Sequence, residues 1–558
     1  MTTAARDLEA AAQLKAEGNT LFQAKDFVGA YEKYTQAISH DGENAILYAN
    51  RSACSLALGR RLDAADDADK ATKLDPGYAK AWTRVAAANT GSPNTNPHAM
   101  SALQTALKVL SKDSTPAGQR LRAECTILLE GIARKEAELE KEAIARARPL
   151  QEMAGIPDDK LPWKLAATLL PTLKSEGKWN SSAWLITYAR EQWETGMNIL
   201  RRLEVTPGPA AECKFLAGQP VCIEHLSNAL LADSRVFKFM RADFSDAIGK
   251  YPYQLRLELM HWGGWISGGP QRVIREATER YNQGGLDAVR DGLAVTVRGW
   301  LVSGWIEEFY LGALEHALDY YTAALEVLEW GMETWKNEDV QERGLIFQEA
   351  IVRAVKILRL RAFTQAYKAD PGPNSKYPLR EVLVGSNELV EELQKERKEP
   401  LGEEEYSLFM GFVRYQLAQA YTLRAFFFHH TAVNARRAAR SEITQEVEDT
   451  HMIAAGEYLN AVEVYPEDDE LHAWCYYHAY TNSFEVARPV QDILMMLHFL
   501  HEAIPKMKTI WEVPLETSIS EREGRFRSAL ACREDLVANV QQGNLTLDLP
   551  IMRKPEGY

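Results

Sequence analysis

The sequence predicts an all-α fold, on two observations. Residues Gly18, Ser52 and Ala86 recur at intervals of 34, as do Ala30 with Ala64 and Ala37 with Ala71, a period that belongs to helix-turn-helix units. Beyond them, apolar and small residues keep helical spacing to the end of the chain, while strand-like alternation is scarce. LEHALDYYTAALEVLEWGMETW (314–335) and LHAWCYYHAYTNSFEVA (471–487) are the clearest cases.

Composition fits a packed chain. Of 558 residues, 46% are apolar and 25% charged, values that allow a large core and argue against disorder. The net charge of −14 argues against a nucleic-acid platform, which needs clustered Lys and Arg. The six cysteines (54, 125, 213, 222, 475 and 532) form no C-x-x-C pair and read as reduced, mostly buried thiols. MTTAARDLEAAAQLKAEGN lacks the pattern of a secretory signal, and no apolar run reaches the roughly 18 to 20 residues that span a bilayer. A cytoplasmic protein is expected, with the nucleus as a second compartment.

In the N-terminal segment the small residues fall where paired helices approach closely, with Tyr34 and the Asp75-Pro76 turn at the aromatic and proline positions of a unit. On these residues the chain resembles the tetratricopeptide repeat (TPR) family over roughly residues 8–112. The third unit departs from the pattern, because its first helix ends near Asn89 and the loop TGSPNTNP delays the second helix to about His98–Leu110. A charged helix, roughly 119–146, would cap the open end.

The resemblance carries a site. In LKAEGN, YANRSA and AKAWTR, residues Lys15, Asn19, Asn50, Lys80 and Arg84 match the carboxylate clamp of TPR co-chaperones, on the first helices that line the groove. The family implies that these residues grip the C-terminal carboxylate and last aspartate of peptides ending in Glu-Glu-Val-Asp, the tails of cytosolic heat-shock chaperones of the seventy and ninety kilodalton classes. The chemistry agrees. Two adjacent anionic groups call for convergent donors, with charge from Lys15, Lys80 and Arg84 and directed hydrogen bonds from the two amides. Arg51, beside Asn50, reads as a structural or secondary residue.

The remaining chain divides by punctuation. We expect a TPR domain with its cap at 8–148, a linker at 149–162, a helical region at 163–367, a loop or linker at 368–378 and a helical, TPR-like region at 379–545. The glycine-rich segments HWGGWISGGP and VRGWLVSGWIEEFY place Trp262, Trp265, Trp300 and Trp305 as candidates to line a ligand pocket, or as indoles filling gaps where helices pack at glycine. ISGGP lacks the strand and spacing of a phosphate loop. His429 and His430 are adjacent on a helix and point about 100 degrees apart, which disfavours a shared metal ion. NARRAAR reads as a solvated basic face, with an acidic partner as the alternative. No nucleophile elbow, Walker loop or kinase set occurs. We therefore expect no catalytic residue, metal or cofactor.

The expected function is an adaptor that docks on chaperone tails through the clamp and holds a client or second protein with its C-terminal helices. Two alternatives stand beside it: a helical enzyme or ligand-binding protein recruited by its TPR domain, and a general interaction scaffold.

Overall fold

The computed structural model describes residues 3–153, 155–208, 214–237, 244–439, 443–515 and 517–551. They form an all-α fold. The strands among them are two short antiparallel pairs, Glu204–Pro207 with Lys214–Ala217 and Arg488–Pro489 with Pro550–Ile551. Contacts divide the chain into two compact units, Met1–Arg146 with Leu255–Phe347, and Ala147–Gln254 with Gln348–Tyr558. The segment 163–367, one region by punctuation, is thus shared between the units. Within the expected linker at 149–162, helix continues to Met153 and the next helix starts at Pro162.

In the first unit three helix pairs precede a long cap: α1 (Thr3–Gln23), α2 (Phe27–His40), α3 (Ala45–Ala57), α4 (Arg61–Leu74), α5 (Ala79–Asn89), α6 (Asn96–Leu110) and α7 (Pro116–Met153). Local signals set their ends. The Asp26 carboxylate accepts the Gly29 amide and starts α2, Asn44 accepts the Ile46 amide and starts α3, and Gly59 at φ 76° ends α3 in the left-handed region. Helix α6 begins two residues before the expected His98. Pro97 suits a first turn, and Asn96 accepts the Gly91 amide at 2.9 Å to close the preceding loop.

The period of 34 is a packing period. Gly18, Ser52 and Ala86 are all buried, and Ala30, Ala64, Ala37 and Ala71 are fully enclosed. A Cβ on Gly18 would lie 2.9 Å from Cε1 of Tyr34, so the glycine lets that ring lie against α1. At the equivalent place Ser52 fits because its hydroxyl donates to the Ala64 carbonyl at 2.8 Å. Gly18→Val should cost about 1 to 3 kcal/mol by overpacking. Chemical denaturation of the full chain measures this, and a loss below about 0.5 kcal/mol would mean that Tyr34 can move aside.

The second unit is built around buried charge. Arg235 is enclosed, donating to Asp233 (2.7 Å) and to both oxygens of Asp469 (2.9 Å each), with the Trp511 ring 3.9 Å from the guanidinium carbon. Asp469 also accepts the Tyr415 hydroxyl at 2.5 Å and caps Glu470–Phe484 through the Leu471 amide. The Trp511 indole donates to Ser182 at the start of Ser182–Arg202. One guanidinium therefore ties together chain segments far apart in sequence. The turn PEDD (466–469) ends at Asp469, whose amide donates to the Pro466 carbonyl at 3.0 Å.

Several histidines of this unit are also withdrawn from water, His451 and His472 buried and His429, His430 and His478 half-buried. His429 and His451 share the Asn482 side-chain oxygen through their Nδ1 atoms, at 2.9 and 3.0 Å. His478 stacks between Tyr458 and Trp474, and His430 packs on Phe426 and Tyr367. Burial, aided by the His429 and Lys368 charges, pushes His430 and His478 down to about 3, and burial lowers His451 and His472 as well. An unfolded histidine titrates near 6.5, so on acidification the unfolded chain takes up these protons first. Stability is therefore full above about pH 6.5 and falls as pH drops toward 3, by up to about 1.4 kcal/mol per pH unit for each such group. Burial raises Asp468, so as pH falls toward 3.8 the folded chain takes up that proton first, which opposes the loss in the lower part of the same range. Melting curves between pH 7.5 and 5 should show the second unit losing stability, with the slope reduced in His430→Phe and His478→Phe. An unchanged slope in both would remove the histidines as its cause.

Of the cysteines, Cys54, Cys125, Cys222 and Cys475 are buried, while Cys213 lies outside the described residues. No described helix is long and apolar enough to cross a membrane.

Candidate functional site

Helices α1, α3 and α5 are the first helices of the three pairs, and they carry all five residues named from the sequence. Lys15 and Asn19 stand four apart on α1, Lys80 and Arg84 four apart on α5, which puts each pair on one helix face. Between them, the Asn50 amide of α3 donates to the Asn19 side-chain oxygen at 3.3 Å. The same oxygen accepts the Tyr34 hydroxyl at 2.7 Å. Gly18 thus serves the site as well as the core, because the ring it admits orients Asn19. Cys54, one turn after Asn50, is a buried neutral thiol near Arg84. The row Asn19, Asn50, Cys54, Arg84 therefore crosses from α1 through α3 to α5.

The cations among the five named residues are Lys15, Lys80 and Arg84. Among the described residues, the side chains of Lys15, Lys80 and Arg84 make no ion pair or hydrogen bond, whereas Lys33, Arg51, Arg60, Arg61 and Arg272 are all paired. Arg84 is half-buried, and burial lowers its affinity for the proton, partly offset by Tyr78, Cys54 and Glu124. A guanidinium withdrawn from water with no carboxylate in ion-pair contact is costly to the free protein, and an arriving carboxylate would relieve that cost. Asn19 and Lys80 are exposed, and Lys15 and Asn50 are half-buried. The set offers three positive groups and directed amides to an acidic ligand.

Arg51 has a structural part. It is buried on α3 and holds Asp67 of α4 in a two-pronged pair at 2.8 and 2.7 Å, with a further bond to the Thr35 hydroxyl at 3.1 Å. Its neighbour Asn50 is consequently fixed relative to α4.

The tryptophans do not share one environment. Trp265, Trp300 and Trp305 are buried, while Trp262 is 37% exposed. The Trp265 indole donates to Glu276 at 3.0 Å, and the Arg280 guanidinium lies over its ring at 4.1 Å. Gly299 and Gly304 sit where an added Cβ would lie 2.5 Å from Leu255 and from Tyr321 respectively, so these glycines serve close helix packing.

No family model matches the chain. Over 78 residues, 14% of this chain, it is 49% identical to the heat shock protein Sti1 homolog of Schizosaccharomyces pombe, covering 13% of that protein. Over 73 residues, 13% of the chain, it is 44% identical to the heat-shock protein cognate co-chaperone Sgt12 of Aspergillus fumigatus, covering 21% of that protein. Among solved structures, the Sgt2 TPR domain from Aspergillus fumigatus aligns at 31% identity over 22% of this chain and 82% of its own, with a TM-score of 0.19 that adds no weight. The N-terminal region is thus TPR co-chaperone-like, as its repeats implied. The chain spans about an eighth to a fifth of the length of these two relatives, so the likeness concerns this region alone.

Proposed function

We propose that the groove of α1, α3 and α5 binds the acidic C-terminal tail of heat-shock chaperones, the Glu-Glu-Val-Asp end of the seventy and ninety kilodalton classes, and that the protein acts as a cytoplasmic adaptor. The observation that carries the reading is the row of three unpaired cations, Lys15, Lys80 and Arg84, beside the bonded amides of Asn19 and Asn50. The terminal carboxylate and the last aspartate side chain supply the anionic partners that Arg84 lacks. The names of the co-chaperone relatives support the same partner class. Docking joins the chaperone to whatever the second unit holds, and the linkage raises the effective concentration of one at the other. Because the contact is between charges, rising salt weakens it.

Isothermal titration of the full chain with a peptide ending in Glu-Glu-Val-Asp tests the reading. Binding at micromolar strength supports a chaperone tail as ligand. Binding that survives when the free carboxylate is replaced by an amide would instead favour an internal peptide and the general scaffold.

A further inference from the structure

Helix α4 starts badly by its own means. Its N-cap residue, Arg60, makes no side-chain capping bond, so the first amides of α4 need another acceptor. Asp319, 258 residues later and in the helix Leu314–Thr334 of the same unit, supplies it: Oδ1 accepts the Arg61 amide at 3.0 Å and Oδ2 the Leu62 amide at 2.9 Å. The positive end of the α4 dipole favours a carboxylate there.

One turn earlier on the same helix, Glu315 accepts a 2.7 Å bond from Nη2 of Arg61. The other end of that guanidinium donates to the carbonyls of Ala87 (3.2 Å) and Thr90 (3.1 Å), which close α5. His316, between the two acids, reaches the same Thr90 carbonyl with Nε2 at 3.1 Å. A carbonyl only accepts, so Nε2 carries the hydrogen. Burial and the Arg61 charge hold His316 down to about 4, which keeps it neutral. Further along, Glu326 takes Arg60 at 3.1 Å, and Arg272 of Pro270–Gly284 takes Asp66 of α4 at 2.8 Å.

Three neighbouring residues of one remote helix thus hold the start of α4 and the end of α5 together. Both helices bear on the groove. Helix α5 carries Lys80 and Arg84, while α4 holds α3, and with it Asn50, through Asp67 and Arg51. We infer that Glu315, His316 and Asp319 are positioning residues for the groove, a clasp within the chain that sets Arg84 and Lys80 against Asn50 and Asn19 before a tail arrives. The inference rests on the groove reading above. Its physical content is preorganisation: donors already fixed in place lose less freedom when the ligand binds.

The test uses the full chain and the variants Asp319→Asn and Glu315→Gln, with Glu333→Ala on the exposed side of the same helix as control. Asparagine keeps the shape of Asp319 but turns one acceptor into a donor facing an amide. Two readouts are taken: affinity for the free-acid Glu-Glu-Val-Asp peptide, and hydrogen exchange across residues 61–66 and 84–90. The expected result for Asp319→Asn is faster exchange in both segments together with at least a fivefold weaker tail, a smaller loss of the same kind for Glu315→Gln, and neither change for the control. Unchanged affinity overturns the positioning role, even if exchange quickens or the melting midpoint falls. If the wild-type chain takes no tail at all, the groove reading fails separately. Exchange then decides the clasp alone, with faster exchange at 84–90 in Asp319→Asn sustaining it and unchanged exchange ending it.

Discussion

Arg235→Ala should destabilise the second unit by about 3 to 5 kcal/mol, the range found when one member of a buried charge set is deleted. The loss has three parts. Asp233, Asp469 and Glu470 lose the buried cation they share, the cation over Trp511 is removed, and the Asp469 that caps Glu470–Phe484 loses the group that orients it. The penalty comes chiefly from the stranded acids. Arg235→Met combined with Asp233→Asn and Asp469→Asn should therefore restore part of the stability that Arg235→Ala loses. Urea denaturation followed by tryptophan fluorescence reads both variants. A loss under about 1 kcal/mol for Arg235→Ala would show that the cluster contributes little.

Arg84→Ala should behave in the opposite way, weakening the tail while sparing the fold. A hydrogen bond to a charged group contributes about 1.5 to 3 kcal/mol, so the affinity for a Glu-Glu-Val-Asp peptide should fall about tenfold to a hundredfold. The folded chain should lose little or no stability, because this half-buried guanidinium has no partner to give up and its burial is unfavourable. Arg84→Lys should recover only part of the affinity, since lysine keeps the charge but not the two-pronged geometry. Titration and melting on the same samples separate the two effects. A drop in melting midpoint as large as the drop in affinity would assign Arg84 to the fold.

Much of the fold was legible because packing leaves a period. Gly18, Ser52 and Ala86 mark close approaches between paired helices, and an approach repeated every 34 residues appears as spacing in the chain. The five groove residues were legible through the family resemblance, and the structure adds that Asn19 and Asn50 touch and that Arg84 is half-buried. Two kinds of feature were not legible. Short strand pairs such as Glu204–Pro207 with Lys214–Ala217 have too few residues to show alternation. Contacts made across long separations leave no local mark: nothing near Asp319 announces that it caps α4, and nothing near Asp233 announces Asp469 as its companion around Arg235. One signal for the first existed on the other side, since Arg60 is a poor cap and a helix beginning there needs an acceptor from elsewhere. Tyr34 stands at the aromatic position of its repeat in the sequence, but its hydroxyl role becomes visible only once Gly18 brings the ring against α1.

The most direct measurement is calorimetric titration of the full chain with the Glu-Glu-Val-Asp peptide as free acid and as C-terminal amide, repeated with the Lys80→Ala, Arg84→Ala double variant. A groove that reads a terminal carboxylate binds the free acid at micromolar strength, loses most of that affinity with the amide, and loses it again in the double variant. Equal binding of acid and amide, or no binding of either, would contradict the tail-docking function and leave the three cations to another ligand.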